Sequence, residues 1–299
     1  MGDDRRTSME NLTEKTAAMN LKTGVLENET TGFQRAEERG LTMKIWIFPV
    51  GGLGDRELME LTGICQQDRK DRIEKIQNRK KKAQEAGAGF LLKKLQDELK
   101  ISGGIEYLEH GKPYFPERQD IQFSIAHTDE YVILAYGPEP VGVDAEIVRR
   151  APVSVAERFF RPEERMDLNS LEGIEQDSRF FEYWTGKEAY VKMTGSGLTC
   201  PLNSFGVNLP VTEKFLQAED NLEIFFCREA ISISEGRNTI LTGVTLMEYR
   251  ILFDDGSENR QWLMVMVCTD NQLKIPERVR KQKEKTVNLS FSAELVIIE

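Results

Sequence analysis

Through the first 42 positions the apolar residues follow no sustained period, the only aromatic is Phe33, and acids alternate with bases. Such a stretch cannot bury enough surface to offset the entropy of ordering, and it predicts a disordered leader. At Met43 the texture changes. Met43-Lys44-Ile45-Trp46-Ile47-Phe48-Pro49-Val50 alternates and is rich in aromatic and branched side chains, which predicts a strand and the start of the folded chain. Gln67 to Lys82 carries eight Lys or Arg against three acids and predicts a basic helix. Gln84 to Leu99 sets Phe90, Leu91, Leu92, Leu95 and Leu99 at helical spacing and predicts a packed amphipathic one. Short apolar segments at 105–108, 121–126, 131–136 and 140–148 read as strands between turns.

The second half repeats this order. Helices over 153–168 and 178–193 precede strands near 204–209, 222–226, 238–252 and 262–269, and a polar, basic stretch over 274–285 leads to a last apolar strand over 292–298. Helices followed by strands, twice, predict an α+β protein of two subdomains rather than one doubly wound sheet. The expected organisation is a leader over 1–42, an N-terminal subdomain over 43–148 and a C-terminal subdomain over 149–299.

Composition narrows the function classes. Forty Lys and Arg against 50 Asp and Glu leave a net charge of −10, which disfavours a general nucleic-acid or anionic-membrane binder and makes any basic site a local one. Cys65, Cys200, Cys227 and Cys268 form no CxxC pair, and His110 and His127 are the only histidines, so a multi-histidine zinc site is excluded. No apolar run approaches the ~18 residues of a membrane helix, and no apolar stretch follows the charged start, so a cytoplasmic protein is expected.

Chemistry concentrates in two places. In Val141-Gly142-Val143-Asp144-Ala145-Glu146, two carboxylates two apart on a strand project from one face, an arrangement that suits Mg²⁺ and equally suits a solvated acidic strand end. In Phe180-Phe181-Glu182-Tyr183-Trp184-Thr185-Gly186-Lys187-Glu188-Ala189-Tyr190-Val191-Lys192, helical spacing puts Trp184, Lys187, Glu188 and Val191 on one stripe, with Glu188 four residues ahead of Lys192. Glu188 there is a candidate base or metal ligand, or one half of an ordinary helix ion pair. Lys112, in a turn before Tyr114, and His127, after Phe123-Ser124-Ile125-Ala126, are candidate phosphate contacts or ordinary surface groups.

In this order the motifs GKPYF, FSIAHT, VGVDAE, FFRPEE and WTGKEAYVK, then GSGL and PLNSF, resemble the surfactin-synthetase-activator (Sfp) type of 4'-phosphopantetheinyl transferase over roughly 43–210. The resemblance implies two pseudo-symmetric α+β halves with coenzyme A and Mg²⁺ in a cleft between them. It implies Asp144, Glu146 and Glu188 as the Mg²⁺ ligands, Lys187 and Lys192 at the phosphates, and Lys112 and His127 near the 3'-phosphate and adenosine end. Arg69 and Arg72 correspond to basic residues that clamp the 3'-phosphate, and Glu164 to a further acid near the site. Ala126 departs from the family, which commonly has Ser before the histidine.

The implied reaction moves 4'-phosphopantetheine from coenzyme A to a serine of an acyl or peptidyl carrier protein and releases 3',5'-ADP. Glu188 would be the base and Lys192 would neutralise charge. Both halves of the cleft would come from one chain, so a monomer is expected. A Mg²⁺-dependent phosphoesterase or nucleotidyl transferase, and a non-catalytic carrier-binding or nucleotide-binding module, are the competing readings of the same residues.

Overall fold

The computed structural model describes residues 43–209, 218–219, 222–235, 239–240, 244–253, 262–270 and 294–297; the expected leader over 1–42 and the basic stretch over 274–285 lie outside the described residues. Along the chain run β1 (Lys44–Pro49), α1 (Asp55–Ile64), α2 (Gln67–Lys75), α3 (Arg79–Glu98), β2 (Glu106–Tyr107), β3 (Pro113–Tyr114), β4 (Gln122–His127), β5 (Tyr131–Gly137) and β6 (Val141–Ile147). Then follow α4 (Ala156–Phe159), α5 (Pro162–Asn169), α6 (Gly173–Thr194), β7 (Phe205–Asn208), β8 (Ala218–Glu219), β9 (Leu222–Glu235), β10 (Thr239–Ile240), β11 (Val244–Phe253), β12 (Trp262–Asp270) and β13 (Glu294–Ile297). The mixture is α+β, as the pattern predicts, and the chain divides into two compact units.

The first unit takes its described residues from 43–103, 125–138 and 294–297. Its sheet runs β13-β1-β5-β4, with β1 antiparallel to β5 and parallel to β13. Ile45 and Ile47 of β1 and Val132 to Ala135 of β5 are buried, and α3 lays Ala86, Leu91 and Leu95 into the same core. Gly87 makes that approach possible, because a Cβ there would meet Val50 Cγ1 at 2.5 Å. The basic helix and its neighbour divide earlier than predicted, between Lys75 and Arg79. Asn78 caps α3 by accepting a hydrogen bond from Lys81 N at 3.0 Å, so Arg79 to Lys82 open the long helix instead of closing the short one. The pattern gave no sign of α1, whose start is marked by Gly54 N donating to Glu57 Oε2 at 2.7 Å.

The second unit takes its described residues from 104–124 and from 139 onward to 270. Its large sheet has the order β10-β9-β11-β12-β6, with β7 and β8 also paired to β9. The helix α6 packs on β6 and β12 and buries Phe180, Phe181, Ala189 and Met193 with Leu246, Met264 and Met266. Burial of this kind contributes about 1.5–3 kcal/mol per large apolar side chain and is what fixes α6 on the sheet. The helix predicted over 153–168 breaks at Phe160-Arg161, where Pro162 starts α5 and Phe160 turns into the core beside Phe180 and Tyr183.

The division is therefore no single cut near residue 148. Residues 141–147 pair with β12 in the register Asp144↔Met266 and Glu146↔Met264, which assigns β6 to the second unit, while β13 returns to β1 of the first. Pairing partners distant in sequence decide the boundary, and they carry no local signal.

Candidate active site

β6 ends one side of the second sheet, and α6 crosses it at Gly142. A Cβ at Gly142 would overlap the carbonyl oxygen of Ala189 and the backbone nitrogen of Met193, so only glycine permits backbone to pass over backbone here. Residues on one face of a strand alternate, so Asp144 and Glu146 face α6 with Gly142. On the helix, Glu188 and Lys192 are one turn apart and come to lie over these carboxylates. Lys192 Nζ donates to Asp144 Oδ1 at 2.6 Å, and Asp144 is buried. The N–H of Val143, the residue before Asp144, donates to Ser124 Oγ at 3.1 Å, which holds the strand from its other edge.

The electrostatics follow from three carboxylates gathered where water is scarce. Burial, and then the charge of Asp144, push the Glu146 carboxyl above its ordinary range, against the pull of Arg149, whose Nη1 donates to Glu146 Oε2 at 3.2 Å. Burial and the same Asp144 push Glu188 up as well, with Lys192 opposing. Among the described residues, no group of three or more His, Cys, Asp or Glu side chains is gathered closely enough to enclose a metal ion. The donor set nevertheless has the chemistry Mg²⁺ requires. That ion uses one or two carboxylates and completes its shell with waters and substrate phosphates, and a cation would relieve the repulsion that raises Glu146 and Glu188.

Lys187 is placed elsewhere. Successive residues of a helix point about 100° apart, so the predicted stripe splits, and Lys187 turns away from Glu188 into the core. It has no exposed surface. Its Nζ donates to the carbonyl oxygens of Leu202 at 2.8 Å and Phe205 at 2.6 Å, and pairs with Glu164 Oε2 at 2.9 Å. Burial lowers its affinity for the proton, and Glu164 works against that fall. With these three acceptors taken, the ammonium has no donor left for a phosphate, and the expectation that Lys187 is a phosphate contact is corrected on this ground. Trp184 stays with this inward side, edge-on to Phe159 and stacked on Phe180.

The remaining candidates are distributed between the units. Lys112, in the second, donates to the Met193 carbonyl, one of the last of α6, while its stem lies along Gly195, the left-handed residue that ends the helix. Burial pulls its ammonium down to about 8. In the first unit, His127 is exposed at the end of β4. Arg69 Nη1 donates to Glu85 Oε2 at 2.6 Å, whereas Arg72, exposed on α2, lies 3.8 Å from Asp68. Gly142 and Ser124 were not legible as site residues. The first was visible only as the glycine of VGVDAE, and the second only as the serine of FSIAHT.

Comparison with known proteins supports the resemblance carried by the motifs. Residues 140–242 match the model of the 4'-phosphopantetheinyl transferase superfamily, a stretch that includes β6, α5 and α6. A 4'-phosphopantetheinyl transferase of Bacillus subtilis is 37% identical over 113 residues, covering 38% of this chain and 50% of that protein. The 4'-phosphopantetheinyl transferase Sfp of Bacillus subtilis strain 168 is 39% identical over 101 residues, covering 34% and 45%. The chain thus spans about half the length of these curated relatives. A Xenopus laevis L-aminoadipate-semialdehyde dehydrogenase-phosphopantetheinyl transferase is 26% identical over 247 residues, covering 76% of this chain and 72% of its own. The chain is similar to Sfp-type 4'-phosphopantetheinyl transferases.

Proposed function

We propose that this chain transfers the 4'-phosphopantetheine group of coenzyme A to a serine hydroxyl of an acyl or peptidyl carrier protein and releases 3',5'-ADP. The observation that carries this reading is the meeting of Asp144, Glu146, Glu188 and Lys192 where α6 crosses β6, inside the stretch matched by the superfamily. The serine oxygen forms a bond to the phosphorus attached to pantetheine, the P–O bond to the adenosine 5'-phosphate breaks, and 3',5'-ADP takes the electron pair. Most of the barrier is the crowding of negative charge on the pyrophosphate.

Asp144, Glu146 and Glu188 are the acids from which Mg²⁺ would draw its one or two carboxylate ligands, and the ion would supply positive charge to the pyrophosphate. Lys192 is the ammonium at these acids and adds the second positive charge. Glu188 takes the proton of the attacking serine, directly or across a water. Assignment of Lys112, His127, Arg69 and Arg72 to the 3'-phosphate and adenosine end follows the resemblance. Dephospho-coenzyme A tests that assignment, because a variant that rejects it as strongly as the parent does never touched the 3'-phosphate.

Among the described residues no helix is long and apolar enough to cross a membrane. That the protein acts in the cytoplasm as a monomer is part of the proposal and follows the resemblance, in which one chain supplies both halves of the cleft. Incubation with coenzyme A, Mg²⁺ and an apo carrier protein, followed by intact mass spectrometry, tests the function. The carrier should gain the mass of phosphopantetheine, and the gain should stop when the metal is chelated. A carrier of unchanged mass refutes the reading.

A further inference from the structure

We propose that Lys187 and Glu164 are a buried positioning pair, which sets the rotation of α6 and so aims Glu188 and Lys192 at β6. The proposal rests on the transferase reading for its catalytic consequence, and on geometry alone for the pair itself.

Glu164 is as fully engaged as Lys187. It is 4% exposed; its Oε1 accepts from Val207 N at 2.8 Å, and its Oε2 accepts from Arg161 N at 2.8 Å as well as facing the Lys187 ammonium. Neither group can serve as a phosphate ligand or a base without abandoning buried partners, which costs the desolvation of each one left unpaired. What they do hold together is specific. Arg161 and Glu164 open α5, Leu202 lies in the turn after α6, and Phe205 and Val207 belong to β7. One side chain of α6 is thereby tied to three separate pieces of chain, with the Phe205 ring centroid 4.7 Å from its Nζ.

Lys187 immediately precedes Glu188, so a fixed direction for the first fixes the second. A helix with side chains has a radius of about 5–6 Å, so a 20° rotation moves a side-chain tip by about 2 Å. A misplacement of about 1 Å can already cost 100-fold in rate. Gly142 sets how closely α6 approaches β6, and the pair sets which face it presents. A buried ion pair is often no more stabilising than apolar side chains of the same volume, whereas loss of one partner strands a buried charge. Direction is therefore the more informative property to measure.

The experiment compares the parent with Lys187→Met and with Lys187→Met/Glu164→Gln. Calorimetric affinity for coenzyme A, without carrier, should stay within about threefold of the parent, while kcat for carrier modification falls at least ~10-fold at unchanged KM for coenzyme A. The double variant should melt above the single one, because a neutral amide is tolerated where a stranded carboxylate is not. If Lys187→Met does not fold, the double variant carries the same comparison. Brief acetylation of the native protein, read by peptide mass, should modify Lys192 and spare Lys187.

A tenfold loss of coenzyme A affinity at unchanged kcat, or acetylation of Lys187 as fast as of Lys192, would overturn the proposal. So would a double variant that melts no higher than the single. A parent that leaves the carrier unmodified sinks the transferase reading instead, and the labelling and melting results still decide whether the pair is buried and coupled.

Discussion

Replacing Gly142 by alanine adds one methyl group at the point where α6 and β6 touch. Its Cβ would overlap the Ala189 carbonyl oxygen and the Met193 backbone nitrogen, both main-chain atoms, so no side-chain rotation can make room. Overpacking ordinarily costs about 1–3 kcal/mol, and obstruction by backbone on both counts puts this site at the upper end. At about 2–4 °C per kcal/mol for a unit of this size, Gly142→Ala should lower the melting temperature by about 6–12 °C. The displaced helix also carries Glu188 and Lys192 away from Asp144, so transfer should fall by about 100-fold for each ångström or so of misplacement. Gly63→Ala is the control. It lies within α1, a Cβ there meets nothing within 4 Å, and the substitution should stabilise by about 0.4–1 kcal/mol. Differential scanning calorimetry and a carrier-modification assay read both variants. If Gly142→Ala melts within about 2 °C of the parent and keeps its activity, α6 does not pass over β6 as described.

Other outcomes follow from the same geometry. Asp144→Ala, Glu146→Ala and Glu188→Gln should each lower turnover at least ~100-fold while the circular dichroism of the fold is retained, as steady-state kinetics with a carrier substrate will show. Burial makes folded Lys112 hold its proton less tightly than the unfolded chain does. Stability should therefore rise as pH climbs from about 8 towards 10.5, and urea titrations should show that this gain is lost in Lys112→Met. Asn78→Ala removes the cap of α3 and should cost ~1 kcal/mol in the same titration.

Local pattern carried much of this architecture. The alternation from Met43 to Val50, the strands from 121 to 148 and the apolar spacing of α6 each lead to an element observed, because period and burial coincide there. What escaped was set by distant partners. β9 runs unbroken from Leu222 to Glu235, where the pattern suggested only 222–226, since it is paired in turn by β8, β11, β7 and β10. At the site, the motif spacing singled out Asp144, Glu146, Glu188 and Lys192, and the fold brings these four side chains together. The same spacing could not show that Lys187 faces Glu164 across the core, because the acceptors that claim it, at Leu202 and Phe205, are main-chain carbonyls without a residue signature.

The central claim, phosphopantetheine transfer at the α6–β6 acids, is tested most directly by counting both products in one reaction. With coenzyme A, Mg²⁺ and an apo carrier, 3',5'-ADP and modified carrier should appear in equal amounts. Both should vanish when the acceptor serine of the carrier is replaced by alanine, and both should fall together in Asp144→Ala. Release of 3',5'-ADP that continues with the serine-free carrier would mean that water is the acceptor, and would contradict the account in favour of a phosphoesterase.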